Sequence, residues 1–230
     1  MTVLTTLPGV SAESPISPLP ATSTAAKTKD AEEIEYDVKA AFIYNFMRFI
    51  EWPAEKLQAN RQIQKENAPS SAGDVSVSPP PMLIGILGNN PFRQAFSPIL
   101  GKKIGDRTIE LAVFEGFEPY LRAGRNETAA LAAYRQKNGR ILARCDVLFI
   151  CASEAGYLDT LLPLTEGSCA VTVSDIPEFV HRGGMIGFVT ENNKVRFDIH
   201  LGPVEREKIK IRSQLLELAR QIHKKSDAKG

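Results

Sequence analysis

Two hydrophobic patterns divide this chain. Between Val38 and Pro53, in "VKAAFIYNFMRFIEWP", the apolar residues Val38, Phe42, Ile43, Phe46, Met47, Phe49 and Ile50 spread over most of a helical circumference. A solvated surface helix confines such residues to one stripe. Asp37 stands where an N-cap is expected, and Pro53 stops the run. Downstream the pattern changes to short continuous apolar runs: "PMLIGILG", "RTIELAVF", "DVLFICA", "AVTVSD" and "GMIGFVT". They alternate with segments that read as helical: "NNPF", where Asn90 caps, then "ETAALAAYRQKNGRILARC", "EAGYLDTLLPLT" and "PEFVHRGG". In the last of these Asp175 and Glu178 have capping-box spacing, Pro177 suits the first turn and Gly183 ends the helix. The chain closes on "IRSQLLELARQIHKK", with Ile211, Leu215, Leu218, Ala219 and Ile222 on one helical face.

Near-continuous apolar strands alternating with helices predict a mostly parallel sheet covered on both faces. "GMIGFVT" and "KVRFDIHL", joined by "ENN", predict a C-terminal antiparallel hairpin at its edge. The expectation is one three-layer α/β domain of Rossmann/flavodoxin-like type over residues 35–225. Residues 1–34, rich in Pro, Ser, Thr and Ala, read as a disordered tail, and residues 60–81 as a flexible polar insert. "LPGVSA" within the tail ends in a small-x-small step without a basic region before it. A signal-peptide remnant and a plain tail both fit it.

Composition adds exclusions. A net charge of +1 gives no basic field for nucleic acid. The apolar helix, about 15 residues or ~22 Å, falls short of a ~30 Å hydrocarbon core and carries Asn45 and Arg48. It is therefore expected to be buried against protein.

In such folds ligands sit at the carboxyl ends of the strands. Those positions hold Asn89, Asn90, Ser153, Ser174 and Asp175, a candidate ligand pocket. No phosphate-binding glycine loop, zinc-protease motif or nucleophile elbow occurs. His181, His200 and His223 are scattered along the sequence, so neither catalysis, nor a metal, nor a cofactor is expected. Cys145 and Cys151 flank one strand and lie ~20 Å apart, too far to bond. Cys145 and Cys169 start two strands; if these are parallel neighbours, they come within disulfide reach, and closing that loop adds about 3 kcal/mol. Cys151 is left as a buried free thiol; three reduced thiols are the alternative.

"YDVKAAFIYNFMRFIEWP", "ILGNNPF", "CDVLFICASE", "VTVSDIPEFVHRGGMIGFVTENNKVRFDIH" and "IRSQLLELAR", in this order, resemble the YfiR family of bacterial periplasmic regulators. The resemblance implies a secreted, non-catalytic and usually dimeric α/β protein. It also implies two partners: the periplasmic domain of an inner-membrane diguanylate cyclase (YfiN-like), which it represses, and an outer-membrane lipoprotein (YfiB-like) that sequesters it. The sequence departs from the family pattern at Asp198 and His200, in the 60–81 insert and in lacking a cysteine upstream to pair with Cys145. On this reading Phe42, Phe46, Phe49 and Trp52 form a dimer or partner interface; the alternative packs the helix inside the domain, against Leu215 and Leu218. Two further functions fit the residues: a periplasmic small-ligand sensor using the strand-end pocket, and a hydrolase using Ser174 or Ser153.

Overall fold

The computed structural model describes residues 23–66, 79–124 and 126–224. The first helix, α1, runs Ser23–Phe49 and is followed by β1 (Ile50–Glu51) and α2 (Ala54–Glu66). Next come β2 (Met82–Leu87), β3 (Lys103–Ile104), β4 (Arg107–Phe114), α3 (Glu118–Ala123) and α4 (Glu127–Leu142). Then β5 (Val147–Ile150) leads through a 3-10 turn, α5 (Leu158–Leu161) and a second 3-10 turn to β6 (Val171–Ser174). The C-terminal part is β7 (Ile186–Glu191), β8 (Lys194–His200), α6 (Leu201–Arg206), β9 (Lys210–Ile211), α7 (Ser213–Leu218) and β10 (Gln221–His223).

The main sheet has the order β10-β8-β7-β6-β5-β2-β4-β3. The β4, β2, β5, β6 and β7 pairings are parallel, as their unbroken apolar runs require. β7 and β8 form the expected antiparallel hairpin, with Phe188 opposite Phe197. That hairpin is not the edge: β10 adds to β8 in parallel. The closing segment predicted as one amphipathic helix stops at Leu218, because Arg220 is drawn to the buried carboxylate of Asp198 and its amide to the carbonyl of Phe197. Leu215 is buried from this segment, while Leu218 and Ile222 are exposed.

Three other boundaries differ from the sequence pattern. α1 begins well before Asp37, since "STAAKTKDAEEIE" is rich in strong helix formers; residues 23–34 are therefore helix, and the rest of the expected tail lies outside the described residues. The expected insert opens as helix through Glu66, with Asn60 buried and its side-chain amide donating to the carbonyl of Arg144; residues 67–78 lie outside the described residues. "PEFVHRGG" forms successive turns, not a helix, because Asp175 has long-range partners in place of a capping role. "NNPF" likewise leads into turns, with Asn90 Oδ1 accepting from the amide of Phe92 at 2.9 Å.

The sheet separates two cores. On one face α1 packs Ile43, Phe46 and Met47 against Phe188, Phe197 and Val204. On the other, Tyr134 and Leu142 of α4 pack with Phe117, Leu148 and Phe179. Buried ions pin the loops between these layers. Asp146, fully buried, receives Arg107 through both oxygens at 3.0 and 2.6 Å, and the amide of Leu83 at 2.8 Å. Lys56 donates to the carbonyls of Ala143 and Ser168, both at 2.6 Å. Burial lowers its pKa from the usual lysine value.

Candidate functional site

The chain passes from β2 to β4 on one side and then crosses to β5 on the other, so the topological switch lies at the carboxyl end of β2. There such sheets open a ligand crevice. Here the crevice is filled by a side chain of the protein itself. Glu154, 3 % exposed, accepts from the amide of Phe117 at 2.9 Å and from Ser153 Oγ at 2.8 Å. Gly88, at φ +101°, makes room for it: a Cβ there would stand 2.7 Å from Glu154 Oε1. Gly116 leaves the same space from the β4 side. Only glycine serves at Gly88, where the positive φ and the carboxylate both exclude a side chain.

The predicted strand-end residues are gathered at this rim but serve the fold. Ser153 Oγ accepts from the amide of Asn89 at 3.0 Å while donating to Glu154. Ser174 is fully buried, donates to the carbonyl of Ile150 at 2.7 Å and accepts from the amide of Ile176. A serine nucleophile needs an exposed hydroxyl and an adjacent base; neither Ser174 nor Ser153 has a histidine as hydrogen-bond partner. Among the described residues no group of three or more His, Cys, Asp or Glu could hold a metal ion.

Asp175 does something the sequence did not disclose. Its Oδ2 accepts from Tyr36 at 2.8 Å and from Lys39 at 2.6 Å, and Lys39, 3 % exposed, also pairs with Glu35 at 2.7 Å. Burial first and the Asp175 carboxylate next push the Tyr36 phenol well above its ordinary pKa. This cluster ties α1 to the end of β6. Asp175 Oδ1 is buried with no donor among the described residues, at the wall of a groove of about 350 Å³ that His181, Phe188, Asp198 and Arg220 also line.

The cysteines are all free, which corrects the expected Cys145–Cys169 bridge. β5 and β6 are parallel neighbours, with Val147 opposite Val171, as that expectation required. Cys145, however, turns into the α4 core, with Sγ 3.4 Å from the carbonyl of Ile141. Cys169, at φ +54°, is held by its amide on Glu207 at 2.8 Å. Burial pushes the thiols of Cys145 and Cys151 up to about 12, so neither is a thiolate at neutral pH.

The expected aromatic interface is only partly available. Phe46 is fully buried, with ring centroids 5.7 Å from Phe188 and 5.0 Å from Phe197. Phe49 and Trp52 are half-buried, and the Trp52 indole donates to the carbonyl of Asp146 at 3.2 Å. The exposed apolar surface lies further toward the start of α1. Ala31, Ile34, Val38 and Ala41 recur at spacings of three and four and are all exposed, Ile34 at 63 %. Ile34 and Val38, with Phe42, Val195, Phe197 and Leu218, line a groove of about 670 Å³ between α1, the β7–β8 hairpin and α7. Exposed Lys194 and Arg196 form its rim. Periodicity could have found this seam, had α1 been extended past Asp37.

The domain thus combines a sheet whose crevice is closed by its own glutamate with a long helix that shows an apolar seam. The chain belongs to the YfiR/HmsC-like family (DUF4154), whose profile matches residues 71–220. This is a family of periplasmic regulators of cyclic-di-GMP signalling. Among solved structures the chain is similar to a conserved domain protein of Vibrio cholerae O1 biovar El Tor, with 9 % identity and a TM-score of 0.42. It is also similar to an ABC domain from Streptococcus pneumonia in complex with L-Trp, with 12 % identity and a TM-score of 0.43. Each likeness covers 71 % of this chain and 60 % of the other. No curated protein matches the chain. No described helix is long and apolar enough to cross a membrane.

Proposed function

We propose that this protein is a periplasmic, non-enzymatic regulator that binds the extracytoplasmic domain of a membrane-anchored diguanylate cyclase and holds the enzyme inactive. The observation that carries this reading is the α1 groove, in a domain whose strand-end crevice is already filled. Folded domains seldom leave Ile34, Val38 and Leu218 exposed around one apolar depression without a partner for it. The occupant we assign is a segment of the cyclase domain with an apolar stripe, flanked by carboxylates that meet Lys194 and Arg196. Calorimetric titration of the purified chain into that domain tests the reading. Binding should be weakened at least about tenfold by Val38→Asp and by Lys194→Glu/Arg196→Glu. Full affinity in both variants, or no binding by the wild type, overturns it.

A second reading, a small-ligand sensor, draws on Asp175 Oδ1, which has no donor among the described residues, at the 350 Å³ groove. A ligand bringing an N–H group there would raise thermal stability by mass action. A screen of amines and amino acids that moves the melting temperature in the wild type, and not in Asp175→Asn, would establish it.

A further inference from the structure

All three histidines of the chain meet at one edge of the sheet. They arrive from three elements: His181 from the turns after β6, His200 from the end of β8 and His223 from the end of β10. β10 lies parallel to β8, with His223 in register with His200. The His223 ring stands edge-on to His181, with centroids 4.7 Å apart. His200 Nδ1 is 2.9 Å from the carbonyl of Val180, which can only accept, so this nitrogen carries hydrogen and Nε2 is left to take a second proton. His223 Nε2 is buried without a hydrogen-bond partner among the described residues.

The carboxylates facing the cluster are already paired or screened. Asp198, from β8, is 3.9 Å from His223 Nε2, but both its oxygens are already taken by Arg220 at 2.8 and 2.5 Å. Arg220 also pairs with Glu191 of β7. Glu178, on the turns, is 3.8 Å from His181 Nε2 and largely exposed, hence screened. From α6, Arg206 adds positive charge near His200. Burial first, joined by the charges of His223, Arg206 and His181, holds the pKa of His200 below its ordinary value against the opposing pull of the Val180 carbonyl.

We propose that the three histidines form an acid-released latch on β10: on protonation the crowded imidazolium charges push this last strand off β8. Leu218 sits just before Arg220 and forms a wall of the α1 groove. Opening the latch therefore dismantles the docking surface, a consequence that rests on the binding role proposed above, whereas the latch itself does not. The sign follows from linkage. A histidine held below its ordinary pKa in the closed state takes up its proton on opening, so closure is favoured above about pH 6.5 and is lost as the pH falls below it. At most one proton is taken up by that histidine per opening, so the opening constant rises by up to about tenfold per pH unit within that window.

Hydrogen–deuterium exchange of the full chain between pH 7.5 and 5.5, corrected for intrinsic exchange, tests this. The segment 213–224 should lose protection by up to about tenfold per unit below pH 6.5, while β2 stays protected. His223→Gln should flatten the dependence. Equal protection of 213–224 at both ends of the range, parallel loss in β2, or an unchanged slope in folded His223→Gln overturns the latch. If that variant does not fold, an imidazole NMR titration of the wild type decides. Three independent titrations at ordinary pKa values refute the latch, and coupled titrations accompanied by shifts in β10 amides support it. No partner enters these measurements, so their failure leaves the docking proposal standing, and failure of docking leaves the latch.

Discussion

Replacing Phe46 by alanine separates the buried face of α1 from its exposed one. The ring is fully buried and touches Phe42, Phe188 and Phe197, with centroids 6.2, 5.7 and 5.0 Å away. Truncating a large aromatic at such a site removes its transfer energy and leaves a cavity, a cost of about 3–5 kcal/mol. Close ring pairs add about 0.5–1.5 kcal/mol beyond area alone, which argues for the upper half of that range. With a urea slope of about 2 kcal/mol per molar, the midpoint should fall by about 2 M at unchanged slope. Val38→Asp, on the exposed seam, should leave the stability within about 0.5 kcal/mol of the wild type. Equilibrium urea unfolding followed by circular dichroism measures both. A Phe46→Ala variant within 1 kcal/mol of the wild type, or a Val38→Asp variant as unstable as Phe46→Ala is expected to be, would show that the two faces have been assigned the wrong way round.

Arg107→Met should cost about 3–5 kcal/mol in the same assay, because it leaves the buried Asp146 carboxylate without its cation. Gly88→Ala should lower the melting temperature by several degrees, since the positive φ and the nearby Glu154 carboxylate each oppose a side chain; a neutral outcome would mean that Glu154 is not fixed in the crevice. Thiol labelling at pH 8 should modify Cys169 alone in the folded chain and all three cysteines in denaturant, because Cys145 and Cys151 are buried with pKa values pushed up to about 12. Rapid labelling of either buried thiol in the native state would contradict their placement.

The central strands were legible because burial on both faces demands unbroken apolar runs, and β2, β5 and β6 are buried at every position. Elements that depend on remote partners were not. Asp175, Pro177 and Glu178 have the local grammar of a helix start, yet Tyr36 and Lys39, 139 and 136 residues away, claim the Asp175 carboxylate. Ile222 fits a helical face in the sequence but follows Arg220, which Asp198 and Glu191 hold against the sheet, so the chain turns into β10. Phe46 looked like an anchor for a partner because aromatics dominate interfaces and cores alike. Composition could not tell which of α1's faces the hairpin covers. Glu154 carries no signal in the sequence; its role needs Gly88 and Gly116, which follow two other strands, a juxtaposition no spacing rule announces.

The Arg107–Asp146 pair also governs how the chain can vary. Arg107 Nε donates to the carbonyl of Pro80 and Nη2 to that of Pro81, while Asn60 is tied to Arg144. The middle of α2 and the entry to β2 are thus moored to the same rim of the sheet. Loop closure depends only weakly on length. An epitope inserted between these two moorings should accordingly leave the wound sheet and the α1 groove undisturbed.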